Sequence, residues 1–162
     1  MTELLPFPVE PSDALSPDGV ALARGVARLF YDQGFSVLIE FPLGIGRRVD
    51  VMGLARDGRV AVAEVKSSLA DFRADKKWHE YLGFCDAFYF AVPETFPREV
   101  LPSDSGLIIA DRFGGQIVRP AAPCKPIAAA RRKALTLRFA RTAAFRLSSA
   151  YDPSLPLVQE MD

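Results

Sequence analysis

The chain reads as an α/β domain: a mixed central β-sheet flanked by helices, with a basic helical arm near its C-terminal end. Three observations predict it. The hydrophobic period alternates between helical and strand-like, in the order helix, three strands, helix, strand, two edge strands and a final helix. "RRVDVMGL" and "RVAVAEVK" are mainly apolar on both faces, which suits central strands covered on each side. "AFYFAV" is a short apolar strand reached through a helix-length connection, the pattern of a parallel βαβ crossover.

The elements follow in order. In "SPDGVALARGVARLFYDQG", Ser16 is the cap, Pro17 opens the first turn, Leu22, Val26, Leu29 and Phe30 share a face, and Gly34 stops the helix. "FSVLIEFPL" alternates and is β-branched, and with the next two strands it makes a meander. "SSLADFRADKKWHEYLGFC" returns to helical spacing at Ala74, Trp78, Tyr81 and Cys85, with Ser68 and Asp71 placed as a capping box. "GLIIADRFGGQIVRP" is a strand, a glycine turn and a strand; "PIAAARRKALTLRFARTAAFRLSS" is one basic helix or a pair.

At 162 residues, 49% apolar and 25% charged, the composition is that of one globular domain with a real core. That domain is expected over 15–148, with tails at 1–14 and 149–162. No apolar run is long enough to span a membrane, and the acidic, proline-rich start is not a secretory signal, so the expected address is the cytoplasm. Cys85 and Cys124 lack any CxxC or Cys/His spacing, which argues against a zinc site or disulfide scaffold; both are expected as thiols, Cys85 in the core.

The formal charge of zero hides an asymmetry. Residues 112–151 contain nine bases (Arg112, Arg119, Lys125, Arg131, Arg132, Lys133, Arg138, Arg141, Arg146) and no acid, while only three of the 20 acids follow them. Such an arm suits a polyanion, whose counterions it releases on binding; it equally suits docking on an acidic body.

Glu64 and Lys66 interrupt an apolar strand, and Asp50 interrupts the strand before it. A three-residue loop, Arg56-Asp57-Gly58 with a left-handed Gly58, pairs residues whose numbers sum to 114, so Asp50 lies opposite Glu64 on the face that carries Lys66. A two-residue loop would break that pairing. Two facing carboxylates repel unless a proton or cation neutralises them, and hard oxygen donors beside one amine suit Mg²⁺ or Mn²⁺. Glu40 would be a third acidic ligand if the first strand pairs antiparallel and keeps the alternation of Ser36 and Leu38. The chemistry such a cluster supports is metal-assisted phosphodiester hydrolysis, with Lys66 orienting water. Glu-x-Lys alone also fits a solvated ion pair; the apolar context argues against it.

Asp50, then Glu64-Val65-Lys66 a hairpin later, then a helix, resembles the motif order of the PD-(D/E)XK nuclease superfamily with its restriction-endonuclease-like fold. "RRVDVMGL", "AVAEVKSSLADFRADKKWHEYLGFCDAFYFAV" and "GLIIAD" more specifically resemble the MmcB family of bacterial DNA repair proteins, over most of residues 15–135. The resemblance implies a DNA-repair role, metal binding at Asp50 and Glu64, and water activation by Lys66. Val49 stands where the superfamily's namesake has proline. DNA is the implied partner, with repair proteins and a second copy of the chain as further candidates. Two functions fit: a Mg²⁺-dependent deoxyribonuclease, or a nuclease-fold module that binds damaged or branched DNA or a repair partner without cutting. Arg47, Arg48, Lys76, Lys77, Arg131, Arg132 and Lys133 are the candidate DNA contacts. Asp71 and Asp75 read as capping and solvated charge or as neighbours of the site, and His79 as a surface or capping residue.

Overall fold

The computed structural model describes residues 15–156; the expected tail at 1–14 and the end of the chain from 157 lie outside them. Ser16 caps α1 (Pro17–Asp32) by accepting the N–H of Gly19, and Gly34, at φ +88°, turns the chain out of it. The strands are β1 (Ser36–Pro42), β2 (Arg48–Leu54), β3 (Val60–Val65), β4 (Ala87–Val92), β5 (Gly106–Asp111) and β6 (Gly114–Arg119). They form one sheet in sequence order, parallel at β3/β4 and β4/β5 and antiparallel elsewhere. The mixed sheet and its crossover are those the sequence predicts.

The hairpin register also matches. Gly58, at φ +89°, closes a three-residue loop between Ala55 and Arg59, and Val51 stands opposite Ala63 and Leu54 opposite Val60. On one face of the sheet, α1 packs Leu22, Ala23, Val26 and Phe30 over Val51, Ala63, Val65 and Ile108. The other face is covered by Leu135 and Phe139 of α3 (Ala129–Tyr151), together with Tyr81 and Cys85, over Val62, Phe88 and Phe90. Cys85 is buried and Cys124 half-buried, both as free thiols; burial, then the Cys124 thiol beside it, pushes the Cys85 thiol up. Among the described residues no helix is long and apolar enough to cross a membrane.

Two elements depart from expectation. The helix read from Ser68 to Cys85 is two pieces, α2 (Leu69–Ala74) and a 3₁₀ helix (Trp78–Phe84). Asp75 breaks it: its backbone is extended, one carboxylate oxygen accepts the N–H of Lys77 at 2.8 Å, and the other meets Lys66. The ring stripe survives the break, because Trp78 still packs on Phe88 and Phe90. The basic C-terminal segment is a single helix, and it runs to Tyr151, past the expected boundary at 148.

Gly25 sets how closely α1 approaches the β5–β6 turn. A Cβ there would lie 1.7 Å from the carbonyl oxygen of Asp111 and 2.6 Å from that of Gly114, both backbone atoms. Gly25→Ala is therefore expected to destabilise the fold by about 3 kcal/mol, the upper range for overpacking, despite alanine's better helix propensity. Thermal unfolding of this variant beside Gly34→Ala, where a Cβ meets nothing but the backbone is left-handed, checks it.

Candidate metal centre

The site forms where β2 parts from β3. Their ladder ends at Val51 and Ala63, although both strands continue. Beyond it, side chains take over the backbone bonding: the N–H of Asp50 donates to Glu64 Oε1 at 3.1 Å, and the N–H of Val65 donates to Asp50 Oδ2 at 2.8 Å. β3 meanwhile stays paired with β4, and the Lys66 N–H donates to the Ala91 carbonyl. The two carboxylates thus plug an opening between strands, and the polar groups in the apolar run are explained by the backbone they satisfy.

Asp50 is 9% exposed, Glu64 4% and Lys66 5%, a degree of burial that makes ionisation costly. Burial raises Asp50 from its usual 3.8 to about 6, against the pull of the Val65 N–H, the Lys66 charge and a hydrogen bond with the Glu64 carboxyl. Glu64 is pushed well above the usual carboxylate range, by burial first and by the Asp50 charge second. For Lys66 burial alone would lower the amine, but the charges of Glu64, Asp75 and Asp50 and the hydrogen bond it donates to Asp75 outweigh it and raise it. Lys66 Nζ lies 2.7 Å from Asp75 Oδ2, a pair whose side chains are only 7% and 12% exposed. Asp75 is thus part of the site and not solvated helix charge, the two roles its sequence position allows. The signal was an aspartate followed two residues later by an N–H it can accept, which favours a turn over a continued helix.

Asp71 serves α2. It accepts from the N–H of Ser67 while its own N–H donates to Ser68 Oγ, a capping arrangement close to the expected box. His79 is exposed and stacked on Trp78, with ring centroids 3.5 Å apart.

Glu40 is placed differently from the strand alternation assumed for it. β1 does pair antiparallel with β2, but Glu40 has a left-handed backbone, φ +52°. The alternation slips there: Leu38 and Phe41 both enter the core cluster under α3, and so do Met52 and Val49 on β2. The Glu40 carboxylate lies 3.5 Å from the Arg48 guanidinium, and among the described residues no three acidic, histidine or cysteine side chains gather into a metal-sized cluster. Two consecutive carbonyls, of Ile39 and Glu40, accept from the guanidinium of Arg146 at 2.6 and 2.8 Å. That fork holds the left-handed residue, which costs roughly 1–2 kcal/mol outside glycine. In the sequence Arg146 stands out only as one charge of the arm.

The candidate DNA contacts separate into two groups. Arg47 pairs with Glu80 at 2.7 Å and Arg48 with Glu40, both beside the site, where Lys76 is exposed and Lys77 half-buried. Arg131 and Arg132 lie at the other end of β3. Arg131 donates to the Gly83 carbonyl and covers the Phe84 ring, while Arg132 binds Asp86 through two nitrogens and donates to the Gly58 carbonyl. Asp86 accepts the N–H of Val60, so Arg132 sits about 17 Å from the carboxyl end of β3. At Arg131 and Arg132 the arm therefore docks on the body. Lys133 remains exposed.

Fold and site together define an α/β domain that buries two carboxylates and an amine at the carboxyl end of a central parallel strand. A model of the DNA repair protein MmcB-like family matches residues 9–154, and the chain belongs to that family. Its sequence is 49% identical to the SPO1766 protein of unknown function from Silicibacter pomeroyi; the match covers 86% of this chain and 95% of that one, with a TM-score of 0.81. A repair endonuclease from Pyrococcus abyssi is 27% identical over 49% of this chain and 38% of its own, with a TM-score of 0.29. No curated protein matches.

The raised carboxyls set a pH dependence. Asp50 holds its proton more tightly folded than unfolded, so its contribution to stability is full below pH 3.8 and is lost as the pH rises through about 6. Asp50→Asn keeps the acceptor for Val65 and removes the charge. Without metal it is expected to melt about 5 °C above the parent at pH 8 and to lose that advantage near pH 4, as calorimetric melts across this range would show.

Proposed function

We propose that this protein is a metal-dependent deoxyribonuclease of DNA repair, with the restriction-endonuclease-like architecture of the PD-(D/E)XK superfamily. The observation that carries the reading is the pair of buried, mutually repelling carboxylates, Asp50 and Glu64, beside Lys66, in a chain of a DNA repair family. The donor set fits Mg²⁺ or Mn²⁺: Mg²⁺ is commonly held by one or two carboxylates, with water and substrate phosphate completing its shell.

Asp50 and Glu64 would hold the ion, each kept in place by a backbone N–H of the other strand. A bound Mg²⁺ or Mn²⁺ supplies Lewis-acid polarisation of the phosphate and a water of lowered pKa. Lys66, kept charged by its acidic neighbours, orients the attacking water and offsets charge that builds on the phosphate; Asp75 aims its amine. Glu40 would join as a third ligand only by exchanging Arg48 for the ion. Arg47, Arg48, Lys76 and Lys77 would take phosphates beside the scissile bond, with Lys133 a remote contact.

A specific observation supports the second reading, a module that binds branched or damaged DNA without cutting. Lys66 and Glu40 are both held in internal ion pairs. Single-stranded, duplex, flapped and four-way DNA incubated with Mg²⁺, Mn²⁺ or chelator separates the two. The nuclease reading expects metal-dependent cleavage that Glu64→Ala abolishes and Lys66→Ala lowers by 100-fold or so, within the range of one electrostatic catalytic group. Cleavage that survives both substitutions overturns the site; salt-sensitive binding with no cleavage of any substrate supports the module. Metal affinity should also strengthen between pH 5.5 and 8, since binding must displace the proton that Asp50 holds up to about 6. Titration calorimetry with Mn²⁺ at the two pH values measures it.

A further inference from the structure

The tip of the β5–β6 hairpin lies at the same end of the sheet as Lys66. β3, β4 and β5 run parallel with Val65, Ala91 and Ile108 side by side, so two strand spacings and three residues of rise put Arg112 about 14 Å from the Lys66 backbone. That is roughly four steps of a nucleic-acid strand at duplex spacing.

The turn does not need the side chains at its tip. Asp111 Oδ1 accepts the N–H groups of Phe113, at 2.8 Å, and Gly114, at 3.1 Å, and so fixes the backbone by itself. Phe113 is nevertheless 72% exposed, with the Arg112 guanidinium 5.8 Å above its ring centroid. α1 is pressed against this turn at Gly25. Arg28, three residues on, and Arg24, one turn before Arg28, share one side of that helix; both are exposed, and among the described residues neither makes an ion pair.

We propose that the Arg112-Phe113 tip and the adjoining side of α1 form a second nucleic-acid contact, where an unpaired base stacks on Phe113 and Arg112, Arg24 and Arg28 take the flanking phosphates. A flat exposed ring with one cation over it, and two more on the helix that adjoins the turn, matches a ligand that offers π-faces and phosphates together. Of the acids nearby, Asp111 is committed to the turn and Asp18 stands at the start of α1; Asp32 lies one turn beyond Arg28 on the same side, but among the described residues the two make no ion pair. A single strand bound here and at Lys66 would cross the sheet end between the two. The inference rests on the DNA-directed part of the reading above and not on cleavage.

The test is binding of labelled single-stranded and duplex oligonucleotides by the full chain in chelator, followed by fluorescence anisotropy across salt concentrations. Phe113→Ala should weaken single-strand binding about tenfold while leaving the salt slope intact. Phe113→Trp should restore binding, with its emission quenched by the oligonucleotide. Arg24→Ala combined with Arg28→Ala should lower the log–log salt slope by about 1.4, two phosphates' worth for a single strand. All the changed residues are exposed, and unaltered melting would confirm that the fold is kept. Parent-like affinity and slope in both the Phe113→Ala and the double-arginine variants overturn the proposal. So does a parent chain that binds no DNA but self-associates through Phe113 in sedimentation, which would make the tip a protein interface. Because this binding is measured without metal, it does not depend on cleavage: a chain that binds here but cuts no substrate with Mg²⁺ or Mn²⁺ would sink the nuclease reading alone.

Discussion

The structure depends on an exchange of partners between β2 and β3. At Asp50 and Glu64 the backbone ladder stops, and each carboxylate accepts an N–H that the opposite strand would otherwise have bonded. The sheet can therefore open at that point without leaving an orphaned donor in the core. Negative charge would ordinarily be excluded from such a place. Here burial favours the protonated carboxyls, and Lys66, the residue after β3, tied in turn to Asp75, offsets the charge that remains. The cluster is neither an ornament on a finished sheet nor a set of free catalytic groups: it is the means by which the sheet divides.

Around it the charges sort by location. At the carboxyl end of β3, the bases Arg47, Arg48 and Arg146 gather with the acids Glu80 and Glu40, in contacts that also fix the bent β1–β2 tip. At the amino end, Arg132 and Asp86 join α3 to the strand start and to the Gly58 turn. The acid-free stretch seen in the sequence is thus partly an internal fastening, which seats a long helix of weak amphipathicity across the sheet. Leu135 and Phe139 bury its apolar contact, and arginine forks supply the specificity.

Much of this was legible before any coordinates. The meander, the crossover and the register of β2 on β3 follow from periodicity and from one left-handed glycine, because a period of two leaves little freedom once the loop length is known. Asp50 opposite Glu64 was a corollary. Asp75 and Glu40 were less legible. Helical spacing continues through Asp75, and only the competition between the helix and a local side-chain turn, won with the help of Lys66, breaks it. Glu40 looks like any alternating strand residue, and its left-handed backbone is held by a distant side chain, Arg146. The inward use of Arg131 and Arg132 was hidden for a related reason: charge counting shows that bases are concentrated, not which carbonyls or carboxylates they will meet.

The Arg146 fork also orders events in time. It joins residues separated by 107 and 106 positions, a closure that local contacts cannot anticipate. During synthesis β1, β2 and β3 emerge long before α3, so the meander can pair while Glu40 remains free to stay extended. The Arg146 contacts that hold the bend beside the carboxylate pair are completed only when the last helix has been made and has docked. A nascent chain would thus carry its sheet before the rim of its site was shaped, and completing the rim would coincide with completing the fold.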